Sequence, residues 1–347
     1  MKHYLIPEEG KFYKANLHTH TTVSDGKLTP EEAKEKFVSL GYSVVAFTDH
    51  EVMVPHPELC DDNFIAITGV EMAINEKLWA PYTKTYHLNV YAPEVSRRVT
   101  GTFCYKKVKE IWRVNVTEEM IAGGVENRYY TKEYIQSFID TATAEGCLVC
   151  YNHPEWSLQS KEDYSGLKGL FGVEWSNTGC VRNGYVDNIK PVVDLLREGE
   201  RMCYPIAADD CHGLIDYGGG WVQIKAPALT YDDVFAALRR GDFYSSTGPE
   251  IHELYVEDGA VVVKTSEAAH VAFITDGRHT LTERYKKDTD TYVTESRFKL
   301  EKFLENSALA DEGYSTWFRI EVTDKYGKKA MTKAYFADDI KNMIGEA

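Results

Sequence analysis

The sequence contains no apolar run near the ~20 residues that a bilayer crossing needs. Its opening, Met1 to Pro7, is too short and polar for a secretory signal, so a cytoplasmic location without membrane contact is expected. A disulfide framework is missing too: seven cysteines are scattered through 347 residues, which points to reduced thiols. Cys147-Leu-Val-Cys150 has redox-motif spacing, but it lies in an apolar strand-like run rather than at a helix N-terminus that would activate a thiol. A Gly-rich phosphate loop and a G-x-S-x-G are both absent, which disfavours a dinucleotide-binding sheet and serine acyl chemistry. Basic charge is scarce, 39 Lys and Arg against 54 Asp and Glu, and the net charge of −15 opposes extended nucleic-acid binding. A small anionic substrate held by metal ions stays open.

Roughly 100–200 residues per domain suggests two domains for this length. In the first, β-rich runs alternate with helical stretches, the mark of a parallel α/β fold. Strands are predicted at 13–17, 43–47, 64–70, 87–91, 147–151, 172–175 and 202–207, and helices at 30–40, 132–145, 188–198 and 231–239. Thr29-Pro-Glu-Glu supplies an N-cap, a proline at the first helical position and first-turn acids, and Gly41 closes that helix. Seven strand-helix units without a phosphate loop point to a barrel. After about Gly248 the texture becomes alternating β with turns at Asp258-Gly259, Asp276-Gly277 and Tyr326-Gly327. The expected division is therefore 1–247, a barrel, and 248–347, a small antiparallel β domain.

Six of the 11 histidines stand at predicted strand ends, which converge on one face of a barrel. His18-Thr-His20 puts two rings on the same side of a strand, the arrangement a chelating pair needs. Asp25 follows in a Ser-Asp-Gly turn that can aim a carboxylate at the same centre. The second strand ends Thr48-Asp49-His50, where Asp49 can orient a neighbouring ligand. The third ends Gly69-Val-Glu71, and burying that charge is costly unless a cation compensates. His87 opens another strand, Asn152-His153-Pro154 ends one, and Asp210-Cys-His212 repeats the two-residue spacing. Singly each residue has an ordinary structural reading; as an ordered set at successive strand ends they point to a metal centre.

These motifs resemble the PHP superfamily, named for polymerase and histidinol phosphatase domains, over about residues 12–247. The resemblance implies a distorted seven-stranded (β/α) barrel holding two or three divalent ions. One ion would take His18, His20, Glu71 and Asp210, a second would share Glu71 and add His87 and His153, and a third would take Asp25, His50 and His212. Asp209 adjoins Asp210, but the D-x-H spacing favours Asp210. Cys211, the middle residue of that motif, should point away from the ions. The segment 238–249 and the all-β tail are similar to stand-alone bacterial PHP-like hydrolases whose last domain is a β-sandwich.

His and carboxylate donors suit zinc, manganese or iron. The expected activity is hydrolysis of a small phosphate monoester or diester by a hydroxide between the ions linked by Glu71, with Glu71 and Asp49 as catalytic candidates. Asn177 and Arg182 are candidate substrate-binding groups. Amide, ester or carbamate hydrolysis is the nearest alternative, and a non-catalytic metal-binding module is another class altogether. Arg97, Arg98, Lys106, Lys107 and Lys109 form a basic stretch that is either a solvated hairpin or a cover over the metal mouth that attracts an anionic substrate.

Overall fold

The computed structural model describes residues 1–77, 82–96, 125, 127–310 and 316–345. The basic stretch 97–109 lies outside the described residues. A short strand β1 (His3–Tyr4) precedes the seven expected ones. These are β2 (Lys11–Asn16), β3 (Val44–Phe47), β4 (Ile65–Asn75), β5 (Thr85–Tyr91), β6 (Leu148–Tyr151), β7 (Gly172–Asn177) and β8 (Tyr204–Ala208). The four expected helices also form: α1 (Pro30–Ser39), α2 (Lys132–Ala144), α5 (Lys190–Arg197) and α6 (Tyr231–Arg240), with two short ones, α3 (Lys161–Tyr164) and α4 (Thr178–Arg182), between the second and third. Helix α1 starts as its sequence dictates. Thr29 and Glu32 make a reciprocal capping box, Pro30 occupies the first turn, and Ala33 and Phe37 are buried.

Two features correct the expected parallel barrel. Strand β4 does not end at Glu71 but runs on to Asn75: its first half pairs parallel with β3, and its second half pairs antiparallel with β5. The link between β4 and β5 is too short for the crossover that parallel neighbours require, so the chain turns back as a hairpin. The described strands also form no closed barrel. Two strands missing from the sequence reading, β9 (Trp221–Ala226) and β10 (Phe243–Ser246), follow β8, and β9 takes the free edge of β2 along Lys11–Ala15. A strand has two edges, and β3 holds the other. Only the extension beyond Asn16 is left to meet the end of β8, where Asp210 N–H donates to His18 O (3.0 Å) and His20 N–H to Cys211 O (3.1 Å).

The large sheet is therefore open and mixed, and it continues across residue 247. β10 pairs with β17 (Lys329–Thr332), which leads on to β16 (Trp317–Thr323), β13 (His270–Thr275) and β14 (Thr280–Arg284). A separate antiparallel sheet is ordered β1-β11-β12-β15, with β11 (Ile251–Glu257), β12 (Ala260–Ala268) and β15 (Val293–Lys299). Its inner face packs on β13 and β16 through Val261, Val263, Phe298, Phe273 and Phe318. The two regions share core: Leu5 and Ile6 join the C-terminal cluster, and Trp317 and Phe336 join the cluster of α2, β5 and β6. Cys147, just before β6, and Cys150, within it, are buried in different clusters. Among the described residues no helix is long and apolar enough to cross a membrane.

Candidate metal centre

Each ligand candidate sits at or just beyond a strand that apolar neighbours hold rigid. His18 and His20 follow β2, His50 follows β3, His153 follows β6, and Asp210 and His212 follow β8, while Glu71 and His87 lie within β4 and β5. Asp25 is carried by the turn after His20, which Asp49 organises. The Asp49 carboxylate accepts from Thr21 N (2.7 Å), Thr21 Oγ1 (2.9 Å), Ser24 N (3.1 Å) and Ser24 Oγ (2.7 Å). Asp49 thus shapes the loop bearing Asp25. Gly26 is required in that loop by close approach, since a Cβ there would stand 2.3 Å from the carbonyl oxygen of His20. Gly26→Ala is expected to cost about 1–3 kcal/mol in urea denaturation, as overpacking against backbone does, and to weaken divalent-ion binding by shifting Asp25 off His20.

At the bottom of the site four donors converge. His18 Nε2 and His20 Nε2 are 3.1 Å apart, and Asp210 Oδ1 stands 3.3 Å from the first and 3.1 Å from the second. Glu71 adds Oε1 at 3.3 Å from His18 Nε2 and Oε2 at 3.3 Å from His20 Nε2. Two ligands on one ion with bonds of roughly 2.0–2.1 Å stand about 3.0–3.4 Å apart. Asp210 Oδ1 is buried without a hydrogen-bond partner, as a donor reserved for a cation would be. These residues fit a divalent ion.

The ring tautomers agree. His18 Nδ1 donates to Glu174 Oε1 (2.7 Å), which leaves the Nε2 lone pair facing the carboxylates. His212 Nδ1 is 3.2 Å from the Asp210 carbonyl and His153 Nδ1 is 3.3 Å from Ser157 Oγ. Their Nε2 atoms lie 3.4 Å from Asp25 Oδ1 and 3.2 Å from Glu71 Oε1, respectively. His87 and His50 approach Glu71 instead through Nδ1, at 2.9 and 3.1 Å.

The donors fall into four overlapping groups: His18, His20 and Asp210; His18, Glu71 and His153; His50, Glu71 and His87; and His20, Asp25, His50 and His212. Of the first set implied by the resemblance, His18, His20 and Asp210 form one group, while Glu71 falls in the two groups with His153 and with His87. The third gains His20, and His87 and His153 meet Glu71 in separate groups rather than one. Backbone strain marks the same places, with Glu51, His153 and Asp210 at φ of 65°, 24° and 53°.

Electrostatics explain why such a site calls for cations. Glu71, Glu174 and Asp210 are buried together, and Asp25 joins them half-exposed. Burial alone would raise Glu71 and Asp210, yet the surrounding histidines hold both well below the usual carboxylate range. Burial likewise opposes charging His18 and His20, but the carboxylates outweigh it, raising His18 well above its ordinary value and His20 to about 10. His50 goes the other way, pushed down to about 3 by burial and by the charge on His20. In the ion-free protein protons stand in for cations at some of these rings.

Asp209 is turned away from the centre, as the spacing predicts. It accepts from the N–H groups of Gly218, Gly219 and Gly220 and from Thr178 Oγ1. Cys211 points into the apolar cluster of Phe37 and Phe47. Asn177 accepts from Cys180 N and donates to Glu174 Oε2 (2.9 Å) and Asp210 Oδ2 (3.1 Å), so it holds acids in place. Arg182 is exposed at the end of α4 and is not among the residues lining the cavity. The sequence reading missed Glu174 and Asn152, whose Nδ2 donates to Glu71 Oε1 (2.9 Å). The signal for Glu174 was present: Gly172-Val-Glu174 repeats Gly69-Val-Glu71, a carboxylate inside an apolar strand.

The centre opens into a cavity of about 300 Å³ whose lining includes Asp25, His50, His87, Trp156, His212 and Asp216. A PHP domain family model matches residues 16–130. None of the curated proteins matches the chain. Among solved structures, the chain is similar at 13% identity to a two-domain protein from Bacteroides vulgatus containing a predicted PHP-like metal-dependent phosphoesterase, covering 96% of this chain and 97% of that one with a TM-score of 0.44. A candidate metal-dependent phosphoesterase from Bifidobacterium adolescentis is 17% identical, with 60% and 89% coverage and a TM-score of 0.37. An amidohydrolase from Chromobacterium violaceum, with bound sulfate and no metal, is 16% identical over 58% and 88% at a TM-score of 0.33. The segment that the PHP domain model matches holds His18, His20, Asp25, His50, Glu71 and His87.

Proposed function

We propose that this protein is a metal-dependent hydrolase of a small phosphate monoester or diester. The convergence of His18, His20 and Asp210 at ligand-to-ligand spacing, with the two Glu71 oxygens each 3.3 Å from one of these rings, carries this reading. His153 with His18, and His87 with His50, would each share a further ion with Glu71, and Asp25, His50 and His212 would hold another beside His20; these donors suit zinc, manganese or iron. Bound there, such ions make water nucleophilic near neutral pH and polarise a phosphoryl oxygen. The chain's own groups orient the donors: Glu174 fixes the His18 tautomer, Asn152 steadies Glu71, and Asn177 spans Glu174 and Asp210. Substrate enters on the side of Asp25 and His212, whose side chains are 48% and 40% exposed, because His18 and His20 are closed off from solvent. Residues 1–247 are assigned the chemistry, and 248–347 a packing and substrate-shaping role.

One observation favours the carbonyl alternative. Among the described residues lining the cavity there is no lysine or arginine, and a neutral amide or carbamate needs none. Two measurements test these readings. Elemental analysis of protein purified without chelators should find at least two divalent ions per chain; a value near zero after reconstitution with manganese or zinc overturns the metal assignment. The ion-loaded protein should then turn over phosphomonoesters or diesters faster than amides and carbamates. The reverse order establishes the carbonyl reading, and inactivity on the whole panel leaves a metal-binding module.

A further inference from the structure

Trp156 stands at the mouth of the cavity with 40% of its surface exposed, although tryptophan is on average highly buried. Its ring centroid is 5.1 Å from that of His153 and 5.2 Å from that of His87. The turn that carries it is fixed by Ser157 N–H to His153 O (3.1 Å) and Leu158 N–H to Glu155 O (3.2 Å). The indole is therefore held beside two ligand histidines before anything binds, and little further ordering is needed to use it.

A narrower recess adjoins the cavity, sharing His153, Trp156 and Cys180 with it. Val181 and Val186 border this recess, 42% and 68% exposed. Charge there has one sign: Asp216 lines the cavity, Glu155 lines the recess, and no lysine or arginine lines either among the described residues. The part of a substrate that lies beyond the ions thus meets apolar surface and carboxylates. A second anionic group is repelled, and a flat apolar one is desolvated and stacked.

On the reading that this centre hydrolyses esters, we infer that Trp156 determines specificity for a substrate with one anionic group and an adjacent aromatic ring, which seats on the indole. The test uses the ion-loaded full chain in calorimetric titrations with phenylphosphonate and methylphosphonate, and in parallel with benzoate and acetate. Wild type should bind the phenyl member of a pair about tenfold tighter, equivalent to about 1.4 kcal/mol. Trp156→Ala should cut that preference to within about threefold, Trp156→Phe should keep most of it, and neither should change metal content or melting. A 1,4-phenylenediphosphonate should bind no tighter than phenylphosphonate. Equal binding within both pairs, a preference that survives Trp156→Ala, or tighter binding of the diphosphonate overturns the inference. If the phosphonates fail to bind while benzoate exceeds acetate in a Trp156-dependent way, the phosphoester reading falls and the role of Trp156 stands.

Discussion

Glu71→Gln is expected to lower kcat/KM by about 10³-fold or more, a loss of about 4 kcal/mol of transition-state stabilisation. The reason is the number of groups that share this one carboxylate. Oε1 lies 2.9 Å from His87 Nδ1, 3.2 Å from His153 Nε2 and 3.3 Å from His18 Nε2, and Oε2 lies 3.1 Å from His50 Nδ1 and 3.3 Å from His20 Nε2. An amide of the same shape carries no charge and presents a nitrogen that only donates, so on at least one side the histidines and their ions lose a ligand. The variant should keep its fold, since Glu71 occupies a strand paired on both halves, and should hold at least one ion fewer per chain by elemental analysis. Circular dichroism, metal content and kinetics on the same preparation separate these effects. Activity within a few-fold of wild type together with unchanged metal content would contradict the bridging role.

Arg128→Ala should destabilise the protein by about 3–5 kcal/mol, the usual cost of breaking a buried ion pair by removing one member. Arg128 Nη1 donates to Glu51 Oε2 at 2.6 Å, with the two side chains 3% and 1% exposed, and also to the Ala73 carbonyl at 3.0 Å. Glu51 follows His50 directly, has a left-handed backbone, and donates its N–H to Glu71 O at 2.8 Å. The pair therefore anchors the turn that aims His50 at Glu71, and a loss of ion affinity should accompany the loss of stability. Glu51→Gln combined with Arg128→Ala should recover part of the cost, because the buried charge is then gone. Urea denaturation of the two single variants and the double variant measures this coupling directly. A loss below about 1 kcal/mol for Arg128→Ala would show that the pair is not needed to hold the turn.

Local chemistry made much of this molecule legible in its sequence. The Thr29-Pro30-Glu31-Glu32 cap, the period-two placement of His18 and His20, and the apolar strands ending in Asp and His all follow from nearest-neighbour geometry. The spacing also favoured Asp210 over Asp209, but the chain is not extended there, since Asp210 lies beyond β8 with a φ of 53°; the Gly218–Gly220 amides hold Asp209 away from the centre. Only the tertiary structure decided which donors meet. His87 approaches Glu71 beside His50 because β4 and β5 form a hairpin, with Ala73 opposite His87 and Glu71 opposite Asn89. The sheet formed by the described strands stays open because β9 claims the edge of β2, a competition among strands distant in sequence that no local pattern records. Glu174 and Arg128 also escaped the sequence reading. Each acts by burying a charge against a partner from another strand or turn, His18 and Glu51 respectively, and the worth of such a pair is set by desolvation, which exists only once the chain has folded around it.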